Sequence, residues 1–496
     1  MELLWNEFGV QRLVYRGTQQ TQIEGMVPLP EGKLSAELAD YSASVEVISC
    51  RAEENKLAVT GSIEVTSVAV GEDGGVFSFV STSDFSCEAE APGVNVGMNT
   101  DALAVLKALS MRPAASGQLL LEAVIDIELT VTSAAPIRAL SGISGLDDLE
   151  LRTTEVSTGR RVELANETIR LGEEISSDGI DEVLKYNLQL SVRDTNMENG
   201  GACVSGMLSL NALCRSSEGE IVQLVRSIPF RETIKLNGTA DEVYAVCELR
   251  ENSVRSLGTE FSLIAVDADV NFRVFGMRRG KLNMPIDAFS PSLDFNCLME
   301  RIEILNSEGG TCGQFSVRDN ISVPEGYPDI FTALHASANP IVTGIRFEGG
   351  SMEAEGLLCT RFVYRSSNNA LQSFSEDVPF TISMSAPAMA DFARIRLSAQ
   401  PNITGGGGRT AQLSFSIDAC AEFFGEMKLD AVVGIAENSE KAKADFVRGI
   451  VVYNACEGET FFDVAKRFRI SLAAASSLNA DIREPFRNGE RLLLIV

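Results

Sequence analysis

The sequence predicts a mainly β chain: three tandem β-rich, sandwich-like repeat domains, each carrying a short helix, then a C-terminal module of order β-α-α-β. Two observations predict this. A glycine and a phenylalanine recur three times at one fixed spacing, and charge and periodicity both change near residue 446. The 496 residues, 45% hydrophobic and 22% charged, suffice for several cores at ~100–200 residues per domain.

The repeat frame comes first. Twenty-four residues separate Gly61 from Phe85, Gly206 from Phe230 and Gly356 from Phe380, and the glycines themselves lie 145 and 150 residues apart. Each glycine opens an alternating run (Ile63, Val65; Leu208, Leu210; Leu358, Phe362), then a turn such as Gly71-Glu72-Asp73-Gly74-Gly75 or Ser366-Ser367-Asn368-Asn369, then a second apolar run. Period-2 alternation around a Gly/Asn/Ser turn reads as a β-hairpin. A further hairpin follows in each copy, ending at Ile125-Asp126, Val266-Asp267 and Ile417-Asp418. Upstream, Leu29-Pro30-Glu31-Gly32 matches Val323-Pro324-Glu325-Gly326. After it, Leu34/Leu38/Tyr41, Ile180/Val183/Leu184 and Ile330/Leu334 show the i, i+3, i+4 spacing of one short helix per copy, with Asp178 and Pro328 suited to its first turn. The expected domains are 1–143, 144–279 and 280–435.

Residues 436–445 are polar, carry no apolar period and read as a flexible linker. Beyond them, residues 446–496 hold one Lys and six Arg against six Asp/Glu, a net +1 that leaves −28 on the rest of a −27 chain. Ile450–Tyr453 is a short strand and Thr460 with Asp463 a capping box. The helix it opens puts Phe461, Val464, Ala465 and Phe468 on one face. Ser471 caps a second helix, and Arg491–Ile495 closes as a strand. This module is expected to fold on its own.

Tyr453-Asn454-Ala455-Cys456-Glu457-Gly458-Glu459-Thr460-Phe461, with Val464-Ala465, Phe468-Arg469-Ile470-Ser471, Asn479 and Gly489-Glu490-Arg491-Leu492, is similar to a LysM domain over nearly the whole module. The repeat unit resembles the SPOCS domain of endospore-forming bacteria. The order of repeated SPOCS-type units before one LysM is similar to that of spore coat morphogenetic proteins. The resemblance implies a cytoplasmic protein of the mother cell at the forespore surface, a non-enzymatic scaffold whose LysM docks the coat ATPase that polymerises there. The alternative it implies is binding of N-acetylglucosamine glycan in spore peptidoglycan. Either ligand would meet a groove lined by Gly458, Glu459, Thr460, Phe461, Asn479, Ala480, Asp481 and Ile482. The module departs from the family at Glu459, where Asp is usual, and at Ala475, where Leu is usual, and these departures favour protein docking. Phe461 faces the core, whereas Phe462 suits either the core or an exposed docking surface. A protein partner is expected to be anchored at Phe462 and Ile482, with Arg483 and Arg487 offering guanidinium forks to acidic groups.

Other chemistries find little support in the residues. A charge of −27 repels nucleic acid and anionic lipid. The N-terminal Met1–Phe8 carries acids where a signal peptide needs bases, and no 18-residue apolar run suggests a transmembrane segment. The ten cysteines, never closer than 11 residues, have no C-x-x-C spacing and are expected to be mostly reduced. His335 is the lone histidine and falls in the predicted helix of one repeat, which favours a structural role over catalysis. Gly32-Lys33 and Gly280-Lys281 lack the Ser/Thr of a P-loop. Gly405–Gly408 reads as a hairpin turn, and Asp147-Asp148, Asp126, Asp267, Asp269 and Asp418 as turn or strand-surface residues. No enzyme activity, metal or cofactor is expected.

Overall fold

The computed structural model describes residues 2–33, 36–114, 117–134, 136–177, 179–198, 200–258, 263–438 and 449–496. The chain is mainly β. The first repeat begins with β1 (Leu3–Phe8) and β2 (Arg12–Pro28), and continues through β3 (Ala36–Glu53), β4 (Lys56–Gly71), β5 (Val76–Glu90), β6 (Asn99–Pro113), β7 (Gln118–Ser133) and β8 (Ile137–Ile143). Its body is two antiparallel three-stranded sheets, β2-β7-β6 and β3-β4-β5. Along β7 the residues Leu119, Leu121, Ala123, Ile125, Ile127, Leu129 and Val131 are all buried. The residues between them face out, so period-2 patterning alone builds one wall of a sandwich core.

The second repeat follows the same plan with β9 (Glu150–Ser176), β10 (Ile180–Glu198), β11 (Gly201–Ser216), β12 (Ile221–Lys235), β13 (Glu242–Ser256) and β14 (Leu263–Phe289). The third has β15 (Phe295–Ser322), β16 (Ile330–Glu348), β17 (Ser351–Ser366), β18 (Leu371–Ser385), β19 (Phe392–Gly407) and β20 (Thr410–Glu437). Their sheets are ordered β13-β14-β9 with β10-β11-β12, and β15-β20-β19 with β16-β17-β18. β14 runs unbroken through 279/280, and Ala436 and Glu437 belong to β20 rather than to a linker. Residues 439–445 lie outside the described residues.

The glycine–phenylalanine spacing has a steric cause. Gly61 pairs with Phe85, Gly206 with Phe230 and Gly356 with Phe380. Opposite each glycine the first strand of the sheet carries a β-bulge, at Val47/Ser49, Val192/Asp194 and Val342/Gly344. A Cβ at these glycines would lie 2.4, 2.1 and 2.1 Å from the carbonyl oxygens of Glu46, Ser191 and Ile341. It would also lie 2.3, 2.5 and 2.7 Å from Cζ of the paired ring. Only glycine admits the bulged carbonyl on one side and the ring on the other.

The expected helices are not present; their residues are strand. Leu38 and Tyr41 lie in β3, Ile180, Val183 and Leu184 in β10, and Ile330 and Leu334 in β16, while Leu34 and Asp178 fall outside the described residues. Bulges at Leu38/Asp40, Ile180/Glu182, Val183/Lys185, Ile330/Thr332 and Ala333/His335 turn two consecutive residues toward one side. A strand with one or two bulges therefore imitates a helical period. Eight of the ten cysteines carry free thiols, as expected of a mostly reduced set. Cys312 and Cys420 stand directly opposite in the β15–β20 ladder and are disulfide-bonded, a pairing made by register and not by sequence proximity.

The three repeats surround a common axis. At one end the β1–β8 pair and the outer halves of β9–β14 and β15–β20 meet in a shared core of Val10, Ile137, Val156, Met284, Ile302 and Ala431. At the other end Ala39, Leu184 and Leu334, which hold equivalent positions in the three repeats, close a second apolar contact.

The C-terminal module comprises β21 (Ile450–Asn454), α1 (Phe461–Phe468), α2 (Leu472–Ser477) and β22 (Arg491–Ile495). Thr460 and Asp463 form the capping box and Ser471 caps α2. The module is seated on the repeats. Phe462 meets Phe289 edge-on at 5.0 Å. Arg152, Asp287 and Asp294 pair with Asp463, Lys466 and Arg469.

Candidate functional site

The groove foreseen in the C-terminal module is built by two loops laced together. Gly458, at φ +86°, donates its N–H to the Phe486 carbonyl at 2.9 Å, and Phe486 returns a bond to the Glu459 carbonyl at 2.8 Å. Glu459 itself turns inward. Its carboxylate accepts from the Cys456 N–H at 2.8 Å, the Tyr453 hydroxyl at 2.9 Å and Arg467 Nη2 at 2.6 Å. Thr460 accepts a bond from Arg152 Nη2 at 2.7 Å through Oγ1 and donates to Asp463 Oδ2 at 2.7 Å. Partial burial alone would push the Asp463 carboxyl up, but bonds from Thr460 and Arg152 hold it below its usual range.

The structure divides the foreseen residues into an inner and an outer set. Phe461 is buried with its ring 4.8 Å from Phe486. Asn479 is buried as a clamp: its amide donates to the carbonyls of Ala475 and Leu493, and its Oδ1 accepts the Leu493 N–H, each at 2.8 Å. Phe462 is not an exposed docking residue. It is buried against Phe289, with the Arg152 guanidinium 4.4 Å from its ring centre. An aromatic ring adjacent to a cation gains about 0.5–2 kcal/mol from that contact, so the repeats already supply the partner expected elsewhere. Gly458, Ala480, Asp481, Arg483 and Arg487 form the exposed lip, with Ile482 half-buried behind it. Neither Arg483 nor Arg487 has an ion pair among the described residues.

The residues that seat the module (Glu150, Arg152, Asp287, Phe289 and Asp294) escaped sequence reasoning. Each lies more than 140 positions from its contact, and only the tertiary fold brings them under α1. Glu150 accepts the Leu472 N–H at the start of α2 at 3.1 Å.

A second concentration of polar groups lies on the axis between the repeats. Asp40, Lys185 and His335 occupy the same bulge position in the three copies, opposite Val68, Leu213 and Val363. All three are fully buried. Lys185 Nζ donates to Asp40 Oδ2 at 2.6 Å, His335 Nε2 lies 3.8 Å from the same oxygen, and Arg361 Nε lies 3.5 Å from Oδ1. Burial pushes the Asp40 carboxyl up, yet Lys185 and its other neighbours outweigh this and hold it below its usual value. Burial lowers Lys185 against the pull of Asp40, and lowers His335 to about 4. His335 is therefore a neutral ring in β16, not a helical residue, and neither ring nitrogen has a hydrogen-bond partner.

Lys185 and Arg361 also line a polar cavity of about 1630 Å³ between the repeats. Arg161 and Arg394, which line it too, share Asp101. Arg161 and Arg396 bond to Glu422 at 2.5 and 3.2 Å, and Tyr244 adds a bond to the same carboxylate at 3.1 Å. Asp101 belongs to the first repeat, Arg161 and Tyr244 to the second, and Arg394, Arg396 and Glu422 to the third, so apart from the Arg396–Glu422 pair these bonds hold repeat to repeat. Asp126 bonds Gln20, Asp267 pairs with Arg170, and Asp418 accepts from Gln189 and Gln314. Among the described residues no group of three or more His, Cys, Asp and Glu is placed to hold a metal ion, and no helix is long and apolar enough to cross a membrane.

No family model, curated protein or solved structure matches the chain.

Proposed function

We propose that the chain is a non-enzymatic scaffold of the spore envelope, which docks a coat morphogenetic protein through a C-terminal module of LysM type. The domain order that supports this is similar to that of the spore coat morphogenetic protein SipL, and the partner class comes from that resemblance. The observation that carries the reading is how the module is mounted. Arg152 and Phe289 grip one side of α1, while Gly458, Ala480, Asp481, Arg483 and Arg487 remain turned outward. A rigid body that presents one small loop-built lip suits a recruiting contact. The Glu459 carboxylate is engaged by Tyr453, Arg467 and Cys456, whereas the two lip arginines, without an ion pair among the described residues, can meet acidic groups. This favours protein over glycan as the ligand.

The test is capture from sporulating cells with the full chain, with a chain lacking 446–496, and with the double variant Ile482→Ala/Arg483→Ala. Recovery of a coat ATPase by the full chain, lost in both altered chains, is the expected result. Tight binding of N-acetylglucosamine oligomers by the full chain with no protein recovered would replace this reading with peptidoglycan binding.

A further inference from the structure

The β21–β22 sheet buries one face under its helices and leaves the other bare. Leu492 and Leu494 are buried on the inner side. On the outer side Ile450 stands opposite Ile495 and Val452 opposite Leu493, at 74, 57, 60 and 41% exposure, and Asn454 with Arg491 continues the row. Two aliphatic cross-strand pairs in water form a small contiguous apolar patch ending in a guanidinium.

The two edges of this sheet differ. Gly449 and Val496 exchange both backbone hydrogen bonds, at 3.1 Å each. By antiparallel alternation, Val451 and Tyr453 also bond toward β22, so the N–H and C=O of Ile450, Val452 and Asn454 point away from it. On β22 the matching outward groups of Leu493 are taken by the Asn479 side chain. The β22 edge is thus capped, and among the described residues the β21 edge carries a row of donors and acceptors without partners beside exposed aliphatic side chains.

We propose that the β21 edge takes an extended segment of a partner protein as a third strand, with aliphatic residues at alternate positions and a carboxylate set against Arg491. Arg491, like Arg483 and Arg487, has no ion pair among the described residues, and the module's +1 stands out from −28 on the remainder. An acidic strand meets both conditions. A second copy does not, since antiparallel pairing of two β21 edges offers Arg491 no carboxylate and brings two −27 chains together. This rests on the protein-docking reading and assigns the partner's local chemistry.

The test uses the full chain and a synthetic nonapeptide in which one face carries two isoleucines followed by two glutamates at alternate positions, with threonine between them, and the same peptide with lysine for glutamate as control. Fluorescence anisotropy should show binding of the glutamate peptide, at least tenfold weaker for the lysine peptide. Val452→Pro removes an outward N–H while sparing the bonds to β22, and Ile450→Asp alters only an exposed side chain on the β21 edge. Each should weaken binding at least tenfold with an unchanged melting temperature. Amide exchange at Ile450 and Val452 should slow on binding. The proposal is overturned if the glutamate peptide does not bind, if both variants bind it as well as the parent does, or if Val452→Pro instead dissolves a dimer. Ile482→Ala/Arg483→Ala leaves this edge intact, so a peptide that still binds when capture of the coat partner fails separates the two readings.

Discussion

His335 makes stability depend on pH in a calculable way. Its pKa in the folded chain is about 4 against an ordinary 6.5. A proton is therefore taken up by the unfolded chain first as pH falls, and stability is lost from about pH 6.5 down to about pH 4. Above 6.5 both states are neutral and the residue contributes no pH dependence. Integrating between pH 7 and pH 5 gives a loss of about 2 kcal/mol, rising to about 3 kcal/mol at pH 4. The groups facing the ring are Asp40 on β3, Lys185 on β10 and Arg361 near Asp40 on β17; one carboxylate already serves two cations there, so a charged imidazole gains little. His335→Leu removes the titration and, since neither ring nitrogen has a hydrogen-bond partner, breaks no bond. Urea unfolding of both chains at pH 7 and pH 5 reads the difference, and other titrating groups cancel between them. The parent should lose about 2 kcal/mol more than His335→Leu over that interval. Equal losses would refute the reasoning.

Three further outcomes are expected. Lys185→Met leaves the Asp40 carboxylate buried without its closest partner and should cost about 3–5 kcal/mol by urea unfolding, with much of that recovered by adding Asp40→Leu. Gly206→Ala drives a methyl into the Ser191 carbonyl and the Phe230 ring and should destabilise by about 1–3 kcal/mol, whereas the same change at exposed Gly407, the last residue of β19, with nothing nearby, should cost far less. Arg152→Ala removes two hydrogen bonds and the stack on Phe462. Because the Arg152–Asp463 pair is about one-third exposed, it should weaken seating of the module by only about 1–2 kcal/mol, read as faster amide exchange along α1.

The parts of this protein legible in its residues are those governed by local periodicity. Alternation along β7 and β17, the turns at Gly74 and Asn369, and the capping box at Thr460 all follow from neighbours within a few positions. The repeat was visible because each copy meets the same steric demand between a bulge and a phenylalanine ring. The apolar spacing of the short helices comes from a related cause: a bulge adds one residue to a period of two, which over a few residues matches a period of 3.6. Phe461, facing the module core, was placed by the phase of its helix.

What only the tertiary structure decided is where buried charge and exposed hydrophobe meet their partners. Asp40, Lys185 and His335 look unrelated along the chain, at spacings of 145 and 150 residues, and become one cluster when three bulges point at one axis. Phe462 could serve as core or as docking surface until Phe289 and Arg152, brought from the second repeat, covered it. Local sequence sets which face of a strand or helix is apolar, because that depends on backbone geometry repeating every few residues. Which apolar or charged faces are then covered depends on contacts hundreds of residues apart, and no local pattern carries that information.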